Sequence, residues 1–257
     1  MIFKPNLSVE VKELTHYYNS YPAVNRISLQ IQAGKTFGLL GPNGAGKSTL
    51  IKMLTTLLPP TGGRASILGY DIVKEAALVR KNIGYVPQSS SADGDLTGYE
   101  NLLLSAKLYG IDRVHREQRI LEILDFMDLN KFASQLVKQY SGGMIRKLEI
   151  AQALLHQPRV LFLDEPTVGL DPVARKTLWN FIEILHKQFE TTIVITTHNM
   201  DEADLLCEVV AFMHRGHIVI MDSPSNLKAS IGPQATLDDV FIQYTGASIN
   251  QNYNGID

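Results

Sequence analysis

The sequence predicts an α/β fold in which a parallel sheet forms the core and a glycine-rich loop follows one strand. Short apolar runs at residues 160–163, 193–196 and 209–213 are separated by helical stretches, a pattern typical of a parallel sheet buried on both faces. Another apolar run, at residues 36–40, stops at GPNGAGKST and is followed by apolar residues at helical spacing over residues 50–58. These observations predict the order strand, glycine loop, helix.

The beginning of the chain predicts an antiparallel edge beside this core. Apolar residues alternate with polar ones over residues 9–11 and again over residues 27–31, the period of half-buried strands. A turn around residues 19–22 is expected to join the two strands.

The middle of the chain predicts a helical insertion. From residue 89 to about residue 157, apolar residues such as Leu102, Leu124 and Leu148 belong to sets that recur at steps of three and four. We therefore divide the chain into three parts. These are a core with an antiparallel subdomain at residues 1–88 and 158–222, a helical unit at residues 89–157, and a short C-terminal extension at residues 223–257.

Composition excludes several classes of protein. The 24 Lys and Arg nearly cancel the 26 Asp and Glu, so the chain lacks the positive field expected of a protein that binds nucleic acid. The single cysteine, Cys207, forbids an internal disulfide and a clustered-cysteine zinc site, which fits a reducing cytoplasm. Glu10 and Glu13 lie where a signal peptide needs an apolar run, and no run of about 18 apolar residues occurs. We expect neither export nor a membrane span.

The glycine loop (residues 41–49) fits the phosphate-binding pattern G-x-x-x-x-G-K-[ST] between a strand and a helix. Its backbone N–H groups and the following helix N-terminus are expected to bind phosphate, with Lys47 on the β/γ-phosphates and Ser48 on Mg²⁺. A glycine-rich turn without a ligand is the alternative. The candidate residues are Gly41, Pro42, Asn43, Gly44, Ala45, Gly46, Lys47, Ser48 and Thr49.

Two carboxylates follow the buried run at residues 160–163. Burying them is costly unless a cation or a reacting water lies at the strand's end. We predict that Asp164 holds Mg²⁺ and that Glu165, one residue further on, polarises the attacking water. The alternative is a carboxylate that caps the next helix, which Pro166 favours.

A second loop of small residues, Ser141, Gly142 and Gly143, precedes an apolar helix. A helix N-terminus of this kind is a potential phosphate site, so one chain carries two such loops. Taken alone, Ser141 is better explained as an ordinary helix cap followed by flexible glycines.

Four positions give weaker indications. Gln88 follows a strand-like run and could bind Mg²⁺, and His198 follows another strand, where ligands of α/β sheets bind. Tyr18, or its neighbour Tyr17, offers a ring for base stacking, although either could belong to the core. Asp171 before a proline is explained equally well as a helix cap.

Together these motifs resemble the ABC ATPase family in order and spacing over essentially the whole chain. The resemblance implies a P-loop NTPase (RecA-like) core with an antiparallel β edge and an inserted α-helical subdomain. The matching segments are residues 41–49 (Walker A), 86–88 (Q-loop), 140–144 (signature), 160–166 (Walker B), 168–171 (D-loop) and 196–198 (switch histidine).

The resemblance also assigns roles. It implies ATP and Mg²⁺ as cofactors, with Gln88 as a metal ligand and γ-phosphate sensor. Tyr18 would stack on adenine, His198 would contact the γ-phosphate, and Asp171 would line the nucleotide site. Two signature positions depart from the common pattern, because Tyr140 and Met144 stand where Leu and Gln are usual. The thioether of Met144 cannot donate the hydrogen bond that an amide would.

The same resemblance implies an assembly. ATP would lie between two chains, most simply a homodimer, with the glycine loop of one facing the signature loop (residues 141–143) of the other. The helices near residues 89–110 would contact an integral membrane permease on the cytoplasmic face of the membrane. The segments YSGGM and LDDVF resemble the ABC-2-type exporter branch, which includes drug-resistance exporters. The alternatives are an importer ATPase, a soluble ABC protein acting on ribosomes or DNA, and a module that binds ATP without hydrolysis.

Overall fold

A computed structural model describes residues 7–246. Residues 1–6 and 247–257, at the ends of the predicted core and C-terminal extension, lie outside the described residues. The strands are β1 (Leu7–Tyr18), β2 (Tyr21–Gln32), β3 (Thr36–Leu40), β4 (Gly62–Ile67), β5 (Tyr70–Asp71), β6 (Ile83–Val86), β7 (Val160–Asp164), β8 (Thr192–Thr197), β9 (Val209–His214) and β10 (His217–Asp222). The α-helices are α1 (Lys47–Leu54), α2 (Ala76–Asn82), α3 (Gly98–Leu108), α4 (Arg113–Phe126), α5 (Gly142–Leu154), α6 (Pro172–Phe189), α7 (Met200–Leu206), α8 (Pro224–Ile231) and α9 (Leu237–Thr245).

A six-stranded sheet in the order β10-β9-β3-β8-β7-β6 forms the core, so the predicted α/β class is confirmed. The strands from β9 to β6 pair in parallel, and only β10 is antiparallel. This edge strand is not among the predicted elements. It forms because Arg215 (φ 47°) and Gly216 (φ 80°) both adopt left-handed backbone in a two-residue hairpin turn.

The sheet is buried on both faces, which explains the continuous apolar runs of its strands. Every residue of β7 is buried. Leu161 and Leu163 pack into a core shared with the helices that precede and follow β7, whereas Val160 and Phe162 pack into a second core shared with α1 and the antiparallel strands. The side-chain alternation of one strand thus serves two cores.

The predicted antiparallel edge is a four-stranded sheet in the order β2-β1-β4-β5. Its turn is tighter than predicted, because Tyr21 already pairs with Tyr18 and Pro22 with Tyr17. Asn19, with φ 53°, supplies the left-handed residue that the turn requires.

Helix α1 begins and ends earlier than its apolar spacing predicts. It starts at Lys47, because the glycine loop leads directly into the first turn, and it ends at Leu54 rather than near residue 58. The Thr55 hydroxyl donates to the Ile51 carbonyl at 2.8 Å, and Thr56 adopts φ 64°. A left-handed residue ends the helix there.

Helices α3, α4 and α5 lie in the segment where the sequence predicts a helical insertion, and Leu102, Leu124 and Leu148 are buried in their shared core. The division of the chain into three units stays a prediction. Within residues 7–246, no helix combines the length and the apolar character that crossing a membrane requires.

Candidate functional site

The glycine loop is pressed against two other backbone segments. A Cβ atom at Gly41 would lie 2.2 Å from the Met213 carbonyl oxygen of β9, and one at Gly46 would lie 2.1 Å from the Ala23 carbonyl oxygen of β2. Both glycines have positive φ, 154° and 104°. Only glycine fits these positions, so the loop is fixed with its N–H groups at the start of α1.

Lys47 lies at the mouth of this loop, with its side chain 5% exposed. Its Nζ donates to the carbonyl oxygens of Gly41 at 2.7 Å and Pro42 at 3.2 Å, and lies 3.2 Å from Glu165 Oε1. A buried ammonium needs such partners, because without them nothing offsets the free energy lost when it leaves water.

The next residue of α1 contacts the end of β7. Ser48 Oγ donates to Asp164 Oδ1 at 3.3 Å, and the Thr196 hydroxyl of β8 donates to the same oxygen. The Asp164 carboxylate is buried. A hydroxyl and a carboxylate oxygen side by side are hard oxygen ligands, and this donor set fits Mg²⁺ with phosphate and water as further ligands.

Glu165 contacts two of the other predicted site residues. Its Oε1 lies 3.2 Å from Lys47 Nζ and its Oε2 lies 2.7 Å from His198 Nδ1. Its backbone has φ 51° and its N–H donates to Thr196, to the hydroxyl at 2.9 Å and to the carbonyl at 3.1 Å. Left-handed backbone costs a non-glycine residue free energy, so these two hydrogen bonds to Thr196 help to hold Glu165 in this conformation.

The signature loop and Asp171 form a second group. Ser141 caps α5 by accepting from the Met144 N–H at 3.3 Å, and Asp171 caps α6 by accepting from the first N–H groups of that helix. A Cβ at Gly143 would lie 3.2 Å from Ala174 Cβ, so the two caps lie close together. The capping roles are observed, whereas nucleotide contact by Ser141, Gly142, Gly143 and Asp171 stays a prediction.

Of the other predicted residues, Gln88, Tyr18 and Asn43 are exposed, Thr49 is half-buried and Ala45 is buried. Gln88 lies two residues beyond the end of β6, and its main-chain carbonyl oxygen accepts from Arg146 Nη2 at 3.2 Å. Tyr17 and Tyr18 end β1 with 44% and 46% of their surface exposed.

The two unusual signature residues have packing roles. Tyr140 is buried, and its hydroxyl donates to the Phe132 carbonyl at 2.8 Å. Met144 is half-buried against the core of the helical segment. A large ring and a flexible thioether therefore fill space in this chain.

Sequence reasoning missed Arg146, which donates to main-chain carbonyls near Gln88 and Glu165. One signal was available. Arg146 and Glu149 are three residues apart on a helix that also carries Ile145, Leu148 and Ile150, and opposite charges at this spacing can pair.

The family described as ABC transporter matches residues 24–168, from β2 to the segment after β7. The chain belongs to the ABC transporter family. It is an ABC-type ATPase, and the resemblance drawn from its motifs is confirmed.

Several relatives of this ABC ATPase are named for resistance or export. Daunorubicin/doxorubicin resistance ATP-binding protein DrrA of Streptomyces peucetius is 41% identical over 229 residues, 89% of this chain and 69% of DrrA. Linearmycin resistance ATP-binding protein LnrL of Bacillus subtilis (strain 168) is 34% identical, covering 95% of this chain and 77% of LnrL. Nod factor export ATP-binding protein I of Rhizobium meliloti (strain 1021) is 39% identical, covering 87% and 67%.

Solved structures show the same fold. An ATP-binding subunit of an ABC transporter superposes with a TM-score of 0.81 at 29% identity, covering 92% of this chain and 99% of that one. The ATP-binding cassette MJ0796, a dimer in a post-hydrolysis state with ADP and Pi, gives a TM-score of 0.74 at 26% identity, covering 84% and 98%.

Proposed function

We propose that this chain binds and hydrolyses ATP as the motor subunit of an exporter whose membrane-spanning permease is a separate polypeptide. One observation carries the proposal. Lys47, Ser48, Asp164, Glu165 and His198 come from two strand ends and one helix, yet are linked by contacts of 3.3 Å or less. They supply an ammonium group that can bind phosphate, two oxygen ligands for a metal, and a base with a neighbouring imidazole.

The chemistry follows from these positions. Lys47 binds the β/γ-phosphate oxygens, where charge redistributes during phosphoryl transfer. Ser48 and Asp164 hold Mg²⁺, which neutralises phosphate charge when bound. Glu165 accepts a hydrogen bond from the attacking water, and His198 holds the Glu165 carboxylate and contacts the γ-phosphate.

The site is completed by a second chain. One chain carries two loops suited to phosphate, the glycine loop and the signature loop, but a single strand that ends in Asp164 and Glu165. In a two-fold dimer, each glycine loop faces the partner's signature loop, giving two whole sites. The dimeric state of the related cassette MJ0796 supports this arrangement.

The exporter assignment is supported by the relatives named for drug resistance and for Nod factor export. We place the protein at the cytoplasmic face of a membrane, bound to its permease, with closure by ATP and reopening after hydrolysis as the driven motion. The relatives' names do not favour a role on ribosomes or DNA, or as an importer.

Co-purification tests this function. A tagged chain is isolated from detergent-solubilised membranes and, separately, sedimented with ribosomes, and ATP-dependent phosphate release is measured. We expect a membrane protein with about six apolar spans of roughly 20 residues to co-purify. Sedimentation with ribosomes and no membrane partner would contradict the proposal, and absent phosphate release would indicate a binding module.

Replacing Tyr18 by alanine is expected to weaken ATP binding by about 1–3 kcal/mol, by analogy with base–aromatic stacking, and Tyr18→Trp should largely preserve it. Tyr18 ends β1, and the paired strand β2 contacts the glycine loop through the Ala23 carbonyl, which lies close to Gly46. The measurement is equilibrium ATP binding. Tyr17→Ala, at an equally exposed neighbour, is the matched control. If only that variant weakens binding, Tyr17 is the stacking ring.

Mixing two inactive variants tests whether sites are shared between chains. Lys47→Ala and Ser141→Arg are each expected to be inactive as homodimers. In a mixed dimer, the intact glycine loop of the Ser141→Arg chain faces the intact signature loop of the Lys47→Ala chain. With random pairing, roughly half of the dimers are mixed and about a quarter of all sites are whole.

Both phosphate release and nucleotide-dependent dimerisation are therefore expected to rise on mixing. Dimerisation is measured as well because two sites that must act together could keep hydrolysis low. If neither signal rises while each variant is folded and the wild-type protein responds in both assays, the shared-site arrangement is wrong and Ser141 is only a helix cap.

A further inference from the structure

The buried side chain of Arg146, on helix α5, contacts the backbone of two segments that hydrolysis requires, the loop that carries Gln88 and the loop that carries Glu165. Arg146 of α5 is 6% exposed. Its Nη1 donates to the Pro87 carbonyl at 2.8 Å and its Nη2 to the Gln88 carbonyl at 3.2 Å. On its other side, Nε donates to the Pro166 carbonyl at 2.9 Å, and Nη2 donates to the Glu165 carbonyl at 3.4 Å.

An ion pair completes the coordination of this guanidinium. Arg146 Nη1 donates to Glu149 Oε2 at 2.9 Å, so all five N–H donors of the arginine have an acceptor. Glu149 is 3% exposed, and its other oxygen accepts from the Ser91 N–H at 2.6 Å. A buried pair satisfied in this way holds one geometry, because any shift leaves a buried charge or donor without its partner.

These contacts fix two segments to one helix. The carbonyls of Pro87 and Gln88 and the N–H of Ser91 belong to the loop that carries Gln88. The backbone of Glu165 is held on both sides, because its N–H donates to Thr196 and its carbonyl accepts from Arg146. A displacement of α5 therefore moves both segments together.

We propose that Arg146 is a positioning residue that couples the signature loop to the catalytic machinery of its own chain. The inference rests on the proposed function. Ser141 begins α5 and engages the nucleotide held by the partner chain, whereas Arg146, on the second turn of α5, holds the backbones of Glu165 and Gln88. When α5 engages the nucleotide held by the partner chain, Arg146 therefore sets the positions of Glu165 and Gln88 in the site of its own chain.

Arg146→Lys is the direct test, because lysine keeps the positive charge but has three donors on one nitrogen in place of a planar fork of five. We expect turnover per bound ATP to fall about ten- to a hundredfold, the scale of loss for a misplaced catalytic group, with KM for ATP changed less than about threefold. Glu149→Gln, which keeps the carbonyl contacts of Arg146 and an acceptor for Ser91, is expected to lose about fivefold.

Turnover is divided by the measured stoichiometry of bound ATP, so that a loss of folded protein is not mistaken for a loss of positioning. Lys147→Met is the matched control. It removes a cation from the adjacent position of α5, whose Nζ donates to the Met127 carbonyl at 3.1 Å. Its turnover per site is expected to stay within about twofold of wild type, because that carbonyl belongs to the helical core.

The proposal is overturned if Arg146→Lys turns over within twofold of wild type per bound ATP, or if Lys147→Met loses as much. Should Arg146→Lys not fold, the same twofold criterion applied to Glu149→Gln decides. A wild-type protein that releases no phosphate would instead contradict the proposed function.

Discussion

Replacing Lys47 by alanine is expected to lower the rate of ATP hydrolysis about 10³-fold or more, the scale on which removing a fixed transition-state charge acts. The ammonium lies beside the glycine loop, where its Nζ donates to the Gly41 and Pro42 carbonyls. Steady-state phosphate release measures the effect. Lys52→Ala, on the exposed face of the same helix, is the control and should be near wild type.

The same substitution has a second, separable effect on stability. It leaves the buried Glu165 carboxylate with His198 but without its cation, and breaking one side of a buried pair typically costs about 3–5 kcal/mol. The Lys47→Ala, Glu165→Gln double variant removes the unpaired charge, so its Tm should lie above that of Lys47→Ala. Near-normal phosphate release by Lys47→Ala would contradict the phosphate-binding role of the glycine loop.

Local patterns in the sequence predict the elements of this fold better than they predict its edges. The buried strands β3, β7, β8 and β9 are visible because both faces are apolar. Strand β10 carries an apolar run too, at residues 218–221, but its antiparallel pairing depends on the left-handed backbone of Arg215 and Gly216, which hydrophobic periodicity does not report. The apolar spacing does not show where α1 begins either, because the first turn of this helix is polar.

The residues of the site also differ in how well the sequence predicts them. Lys47, Asp164 and Glu165 are predictable because each follows a recognisable strand or loop, and the carboxyl ends of parallel strands meet at one edge. Arg146 is not predictable from a motif, because four of the five acceptors of its N–H groups are main-chain carbonyls distant in sequence. A side chain that binds carbonyl oxygens leaves no pattern of residue types at the positions it contacts.

Glu165→Gln is expected to keep ATP binding while lowering hydrolysis by roughly 10² to 10⁴, the usual range for losing a general base. The substitution is nearly isosteric, and the contacts of Glu165 determine the orientation of the new amide group. Its oxygen must face Lys47 Nζ, so its NH₂ faces His198 Nδ1, which then serves as an acceptor with the ring proton on Nε2. The site therefore keeps its hydrogen bonds and loses only the basic oxygen.

Equilibrium ATP binding and single-turnover phosphate release, measured on the same preparation, separate the two effects. Glu183→Gln is a matched control, because it neutralises an exposed glutamate that pairs with Lys187 on the surface of α6, where an ion pair contributes at most about 1 kcal/mol. Binding unchanged with hydrolysis lost assigns Glu165 to the chemical step. A parallel loss of ATP affinity would show instead that the Glu165 carboxylate holds the metal or the loop, because a base that acts only on the attacking water contributes nothing to the ground-state complex.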